Sequence, residues 1–160
     1  MDASFCYHGG RIRNLEEILM PSQPSRELQS FPNPQPHRDY LVHMDLPEFT
    51  CLCPLTGQPD FAHFLLDFIP DQRNVELKSL KLYLWSFRDE GAFHEALTNR
   101  IADELAQLLE PRYLRLLGRW YVRGGISTDV LVEHRQPGWD NPHLLAQLGP
   151  APWTRHQPGY

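Results

Sequence analysis

Three stretches of the chain alternate apolar and polar residues with the period of two that a half-buried strand requires. In the first, Tyr40, Val42, Met44 and Leu46 alternate with Leu41, His43 and Asp45. In the second, Ala62, Phe64, Leu66 and Phe68 alternate with His63, Leu65 and Asp67, and Pro70 ends the run. The period then changes. Leu77, Leu80, Leu84 and Phe87 lie at helical spacing, and past Gly91 a second amphipathic set follows: Phe93, Leu97, Ile101, Leu105, Leu108 and Leu109. Pro111 stops that helix. In the third alternating stretch Leu114, Leu116, Trp120 and Val122 interleave with Arg115, Arg119 and Tyr121, and a Gly124-Gly125 turn leads to a last strand around 128–135. The order β-β-α-α-β-β predicts an α+β domain whose antiparallel sheet carries both helices on one face. On this reading the outward face of the third stretch offers Arg115, Arg119 and Arg123. A small sheet with open edges needs a cover, so a homo-oligomer is expected.

The ends of the chain have no period. Eight of the 15 prolines fall between Pro21 and Pro59, and Pro21–Arg38 is rich in proline, serine and glutamine. It reads as an extended arm or linker, and the stretch from Gln136 onward has the same character. The expected organisation is a proline-rich arm over 1–37, a folded body over 38–135 and a proline-rich tail over 136–160. Length agrees, since 160 residues suit one domain with tails.

Composition adds mainly exclusions. A net charge of −5 argues against a sequence-independent grip on nucleic-acid phosphates. Three cysteines, Cys6, Cys51 and Cys53, are too few for a disulfide scaffold. No apolar run approaches the roughly 20 residues of a membrane span, and the N-terminus shows no basic region followed by an apolar stretch. A cytoplasmic protein with reduced thiols and no membrane contact is expected. One oddity changes the picture. Of 15 basic residues only two are lysines, Lys78 and Lys81, and they stand three residues apart.

Candidate chemistry is densest in Glu48–Phe61, EFTCLCPLTGQPDF, which reads as a loop between the first two strands, stiffened by Pro54 and Pro59. Cys51 and Cys53 read as small buried hydrophobes or as a nucleophile. With His63 they would give three metal ligands, but a structural zinc site wants four and usually a Cys-x-x-Cys turn, so the spacing argues against zinc. Asp60 reads as a general acid or as a turn-capping residue. His94 and Glu95 open the second helix and suit either a solvated pair or a shared cleft where a carboxylate accepts ring N–H donors. Lys78 and Lys81 share a helix face, either plainly solvated or binding phosphate. Arg123-Gly124-Gly125 is a hairpin turn, or one that lets backbone approach a ligand.

Taken in order, FTCLCPLTGQPDFA, then ELKSLKLYLWSFRDEGAFHE, then RGGI resemble the 7-cyano-7-deazaguanine reductase family, the NADPH-dependent nitrile reductases of queuosine biosynthesis, a tRNA-modification pathway. The resemblance covers about 38–135 and matches the short, single-module form. It implies the tunnelling fold, with subunits joined edge to edge into a barrel, two stacked pentamers, and active sites between neighbours. It places the catalytic cysteine on Cys53 and its proton donor on Asp60. Substrate contacts fall on Val75, Glu76, Leu77, His94 and Glu95, and cofactor contacts on Lys78, Lys81, Arg123 and Gly124. No metal is implied, and two NADPH are consumed per turnover through a thioimide on Cys53. Cys51 receives no chemical role. Two other classes stand beside this one: a zinc-dependent pterin cyclohydrolase-like enzyme on the same fold, and a non-enzymatic interaction module whose proline-rich arm binds aromatic-lined grooves.

Overall fold

The computed structural model describes residues 22–148. The expected arm up to residue 21, the tail beyond 148, and Cys6 lie outside the described residues. The principal sheet is antiparallel, with four strands: β2 (Val42–Leu52), β3 (Pro59–Ile69), β5 (Tyr113–Arg123) and β6 (Ile126–Arg135), in the order β2-β3-β5-β6. Two helices, α1 (Leu77–Trp85) and α2 (His94–Leu109), cover one face. The predicted α+β arrangement is present. Two short strands, β1 (Ser30–Pro32) and β4 (Arg73–Val75), pair with each other, and a six-residue helix α3 spans Pro142–Gln147. These last three pieces lie in stretches with no apolar period, which is why periodicity does not announce them.

The core follows from the alternation. Ala62, Phe64, Leu66 and Phe68 of β3 and Leu114, Leu116 and Trp120 of β5 face Leu80, Tyr83, Leu97, Ile101 and Leu105 of the helices. Fully burying one such leucine or phenylalanine stabilises the fold by about 1.5–3 kcal/mol. Glu76 caps α1, its carboxylate accepting from the Lys78 and Ser79 amides at 2.9 and 2.7 Å. At the end of α2, Glu110 turns left-handed (φ 45°) ahead of Pro111. Gly118 lets α2 close on β5: a Cβ there would lie 2.6 Å from Phe64 Cε1 and 3.0 Å from Thr98 Oγ1. Gly118→Ala is therefore expected to destabilise the protein by about 1–3 kcal/mol. Chemical denaturation measures this, and an unchanged midpoint would contradict the packing described.

Two bulges decide which side chains reach the helix-covered face. In β2, Leu46 pairs with Phe64 but Phe49 with Ala62, so one extra residue is inserted at Pro47-Glu48, where proline lacks a ladder donor. In β5, Trp120 pairs with Thr128 but Arg123 with Ile126, again one residue extra. Each bulge exchanges the faces for all residues beyond it. After the first, Phe49 and Cys51 turn into the core. After the second, Arg123 turns toward the helix-covered face.

Three expectations from periodicity change accordingly. Glu48–Phe61 is mostly strand, leaving a turn over 53–58 only. The three arginines do not share an outward face: Arg115 is nearly buried on the outer side, donating to Asp67 at 2.8 and 3.1 Å, while Arg123 is on the opposite side. The proline-rich segment is extended but does not stand off the body. Ser25 N donates to Leu82 O (3.1 Å), β1 adds to β4, and the Arg26 guanidinium lies 3.6 Å over the Phe87 ring while pairing with Glu90. At the other end, Trp139 and Asn141 donate to Asp39, which also receives Arg112 at 2.8 Å. Burial alone would raise the Asp39 carboxyl; hydrogen bonds from Asn141, Arg112 and Trp139 outweigh it and hold the group below the usual range.

Candidate active site

The turn over 53–58 is tied at both ends. Cys53 N donates to Gln58 O at 2.8 Å, and Gly57 N donates to Cys53 O at 2.9 Å with Gly57 at φ 67°. The segment entering α2 docks against the end of β2: Leu52 N donates to Glu90 O (2.9 Å) and Ala92 N to Leu52 O (3.1 Å). This docking places His94, in the first turn of α2, beside the strand end that carries Cys53. Gly91 packs closely there, with room for a Cβ only 3.3 Å from Pro54 Cα.

Four side chains converge. Asp60, 6% exposed, starts the inward row of β3. Arg123 Nη1 donates to both its oxygens at 3.0 Å, and Nη2 donates to Thr56 Oγ1 at 3.2 Å. His94 Nε2 stands 3.3 Å from Asp60 Oδ2, with an angle that falls short of a hydrogen bond. Cys53, 5% exposed, is hydrogen-bonded by Thr56 and then by Arg123, which brings its thiol down to about 7 despite the opposing effect of burial. Cys51 is the opposite case. Burial, reinforced by the charges of Asp60 and Glu90, pushes its thiol up to about 12. The two cysteines, two residues apart, are chemically unlike.

A pH-resolved alkylation follows from this contrast. Cys53 is a thiolate above about pH 7 and a thiol below it, so its rate with iodoacetamide is expected to rise through that pH and level off by about pH 8. Cys51 is expected to remain unmodified over the same range. Peptide mass spectrometry reads both sites, and equal labelling of the two would contradict the assigned environments.

The remaining predicted residues divide between this cluster and a second region. Glu95 is exposed on the first turn of α2, next to His94, and Gly124 is exposed at φ 58° next to Arg123. Val75, buried, ends β4; Glu76 caps α1, and Leu77, Lys78 and Lys81 lie on it. Leu77 and Lys81 line a hollow of about 280 Å³ with Met44, Asp45 and Leu46. From Asp45 the strand β2 runs on through its bulge to Leu52, next to Cys53. Within one chain the Val75–Lys81 group and Cys53 are therefore at opposite ends of a strand. Sequence reading did not find Thr56, a polar loop residue among several, nor the approach of Arg123 to Asp60, which depends on the β5 bulge. Among the described residues, no group of three or more His, Cys, Asp or Glu side chains comes together to hold a metal ion. No helix among them is long and apolar enough to cross a membrane.

A thiol brought down to about 7 thus lies beside a buried carboxylate, on the helix-covered face of an antiparallel sheet in an α+β protein. The chain belongs to the QueF-like family, whose model, described as QueF-like protein, matches residues 59–139. It is 81% identical over 141 residues to an NADPH-dependent 7-cyano-7-deazaguanine reductase of Acidithiobacillus ferrooxidans, covering 88% of this chain and 100% of that protein. A protein of the same name from Nitrosospira multiformis is 68% identical over 120 residues (75% of this chain, 86% of that one). One from Nitrosomonas europaea is 56% identical over 138 residues (86% and 99%). Among solved structures, the apo form of the archaeosine synthase QueF-Like superposes with a TM-score of 0.54 at 20% identity, covering 58% of this chain and 91% of that one. That likeness concerns the fold.

Proposed function

We propose that this protein is an NADPH-dependent 7-cyano-7-deazaguanine reductase, converting the nitrile to the primary amine 7-aminomethyl-7-deazaguanine in queuosine biosynthesis. The observation that carries the reading is the Cys53 thiol, brought to about 7 beside buried Asp60.

A nitrile carbon is a poor hydride acceptor, so covalent activation lowers the barrier. The Cys53 thiolate attacks that carbon, an S–C bond forms, and the displaced electron pair on nitrogen takes the proton that Asp60 donates. The product of this step is a thioimide on Cys53. When the carbon is later reduced, the S–C bond breaks and its pair returns to sulfur, where Thr56 and Arg123 again stabilise the thiolate. The imine left behind stays next to Asp60, which, once reprotonated from solvent, supplies the second proton to its nitrogen, with His94 beside it. NADPH, when bound, supplies the two hydride equivalents of each turnover. The donor set suits a phosphate-bearing dinucleotide: Lys78 and Lys81 are exposed one turn apart on α1, with Arg123 and the left-handed Gly124 at a hairpin turn.

Glu95 accepts the ring N–H donors of the deazapurine, with Val75, Glu76, Leu77 and His94 completing the pocket. Because Leu77 and Lys81 flank Met44–Leu46, toward the other end of β2 from the Cys53 turn, the complete site takes the Val75–Lys81 group from a second copy. The open edges β2 and β6 support this: joined edge to edge, such subunits close the barrel of the tunnelling fold, with two pentameric rings stacked into a decamer. A cytoplasmic location accords with this reading, since the reaction takes a free base and NADPH. The experiment is direct. Adding 7-cyano-7-deazaguanine to protein and NADPH is expected to bleach the NADPH absorbance band by two equivalents per nitrile, and an unchanged band would overturn the reading.

A further inference from the structure

The geometry points to Thr98 and Trp120 as positioning residues for this reaction, acting through His94; the inference rests on the proposed reductase activity. Thr98, in the second turn of α2, is fully buried, and its one hydroxyl serves two neighbours. It donates to the His94 carbonyl at 2.8 Å, and it accepts the indole N–H of Trp120 at 3.2 Å. Trp120, reaching over from β5, lies flat against the His94 ring, with centroids 3.9 Å apart and planes inclined by 4°.

This parallel stack differs from the other ring pairs of the core. Phe49–Phe64, Phe64–Trp120 and Tyr83–Phe87 meet edge-on at 74°, 83° and 87°, the arrangement that aromatic quadrupoles favour. A ring held flat on an indole keeps freedom only within its own plane, and the Thr98 bond to the His94 carbonyl fixes where that plane begins. The result is a defined direction for Nε2. That atom is buried, has no hydrogen-bond partner among the described residues, and faces Asp60 Oδ2 at 3.3 Å. An unsatisfied buried nitrogen is costly; held beside the acid, it is available to the substrate's nitrogen. Gly118 completes the device, since any Cβ there would press on the Thr98 hydroxyl at 3.0 Å.

Thr98→Val preserves shape and removes the hydroxyl. Its kcat is expected to fall roughly 10- to 100-fold, the cost of a modestly misplaced group, while KM for the nitrile stays within about twofold. Iodoacetamide labelling of Cys53 is expected at the wild-type rate, because Thr56 and Arg123 set that thiol. Thr98→Ser, which restores the hydroxyl, is expected to bring kcat back to within about threefold of wild type. Trp120→Phe keeps a flat ring but loses the N–H, and its kcat is expected to fall by roughly 5- to 10-fold, also without a KM change. Wild-type kcat in both Thr98→Val and Trp120→Phe would overturn the inference, as would failure of Thr98→Ser to recover or a parallel loss of Cys53 labelling. A wild-type protein that oxidises no NADPH with the nitrile overturns the reductase reading instead, before any variant is compared.

Discussion

Cys53→Ala is expected to abolish turnover, with a loss of at least roughly 10³-fold, on the scale seen when an enzyme loses its nucleophile. Intact-mass analysis of wild-type protein mixed with 7-cyano-7-deazaguanine in the absence of NADPH is expected to give one added nitrile per chain, and none in Cys53→Ala. The control is close at hand. Cys51→Ala removes a thiol that burial has pushed up to about 12 and that packs in the core. It is expected to keep the adduct and to lose some stability, about 1 kcal/mol for a small buried side chain. An adduct that survives Cys53→Ala and vanishes with Cys51→Ala would reverse the assignment of the nucleophile. The two variants differ by two positions in sequence and by the whole of the expected chemistry.

Asp60→Asn is the second large effect. The amide keeps the size of the side chain but supplies no carboxyl proton, so the nitrogen of the attacked nitrile is left without its donor. A loss of roughly 10²- to 10⁴-fold in kcat is expected, the usual worth of a general acid. The substitution also reaches the thiol. Arg123 holds Asp60 with two bonds and reaches both Thr56 and Cys53. With the carboxylate gone, Arg123 is expected to turn more fully to the Cys53 sulfur, so alkylation is expected to stay as fast as in wild type or to become faster while reduction stops. Stopped-flow adduct formation and steady-state NADPH oxidation separate these two steps. Wild-type turnover in Asp60→Asn would leave Asp60 as a packing partner of Arg123 and no more.

How much of the molecule is legible in the chain depends on which physical rule governs each part. Alternation around Val42–Leu46, Ala62–Phe68 and Leu114–Trp120, and helical spacing from Leu77 and from Phe93, place the principal elements, because burial of one face is what that periodicity encodes. The cysteine, the acid and the His-Glu pair are visible as a set through their order along the chain. Residue spacing does not reveal where a strand changes phase. Glu48–Leu52 reads as part of a loop because Pro47 interrupts the alternation there, whereas the strand absorbs it as a bulge and continues to Leu52. Arg123 reads as a companion of Arg115 and Arg119 for the same reason. Thr98 and Trp120 occupy core-facing positions on their elements, and only the distances between them show that they share a hydroxyl. The segment from Ser25 to Pro32 lacks any period because its bonds run to α1 and β4 through the main chain, which leaves no mark on side-chain type.

The two bulges have a consequence for how this site can change. Both act by number: one additional residue in β2 brings the cysteine strand end inward, and one in β5 brings the guanidinium to meet it. Substitution at either bulge leaves that count intact, so many residue types there are compatible with a working centre. Deleting Glu48 alone, or Val122 alone, alters no reactive atom, yet it is expected to turn the strand end to its other face and separate sulfur from its partners. For this enzyme the length of two strands is a chemical variable. Point substitution at the bulges is expected to be better tolerated than a single-residue deletion there, which is expected to disrupt the site.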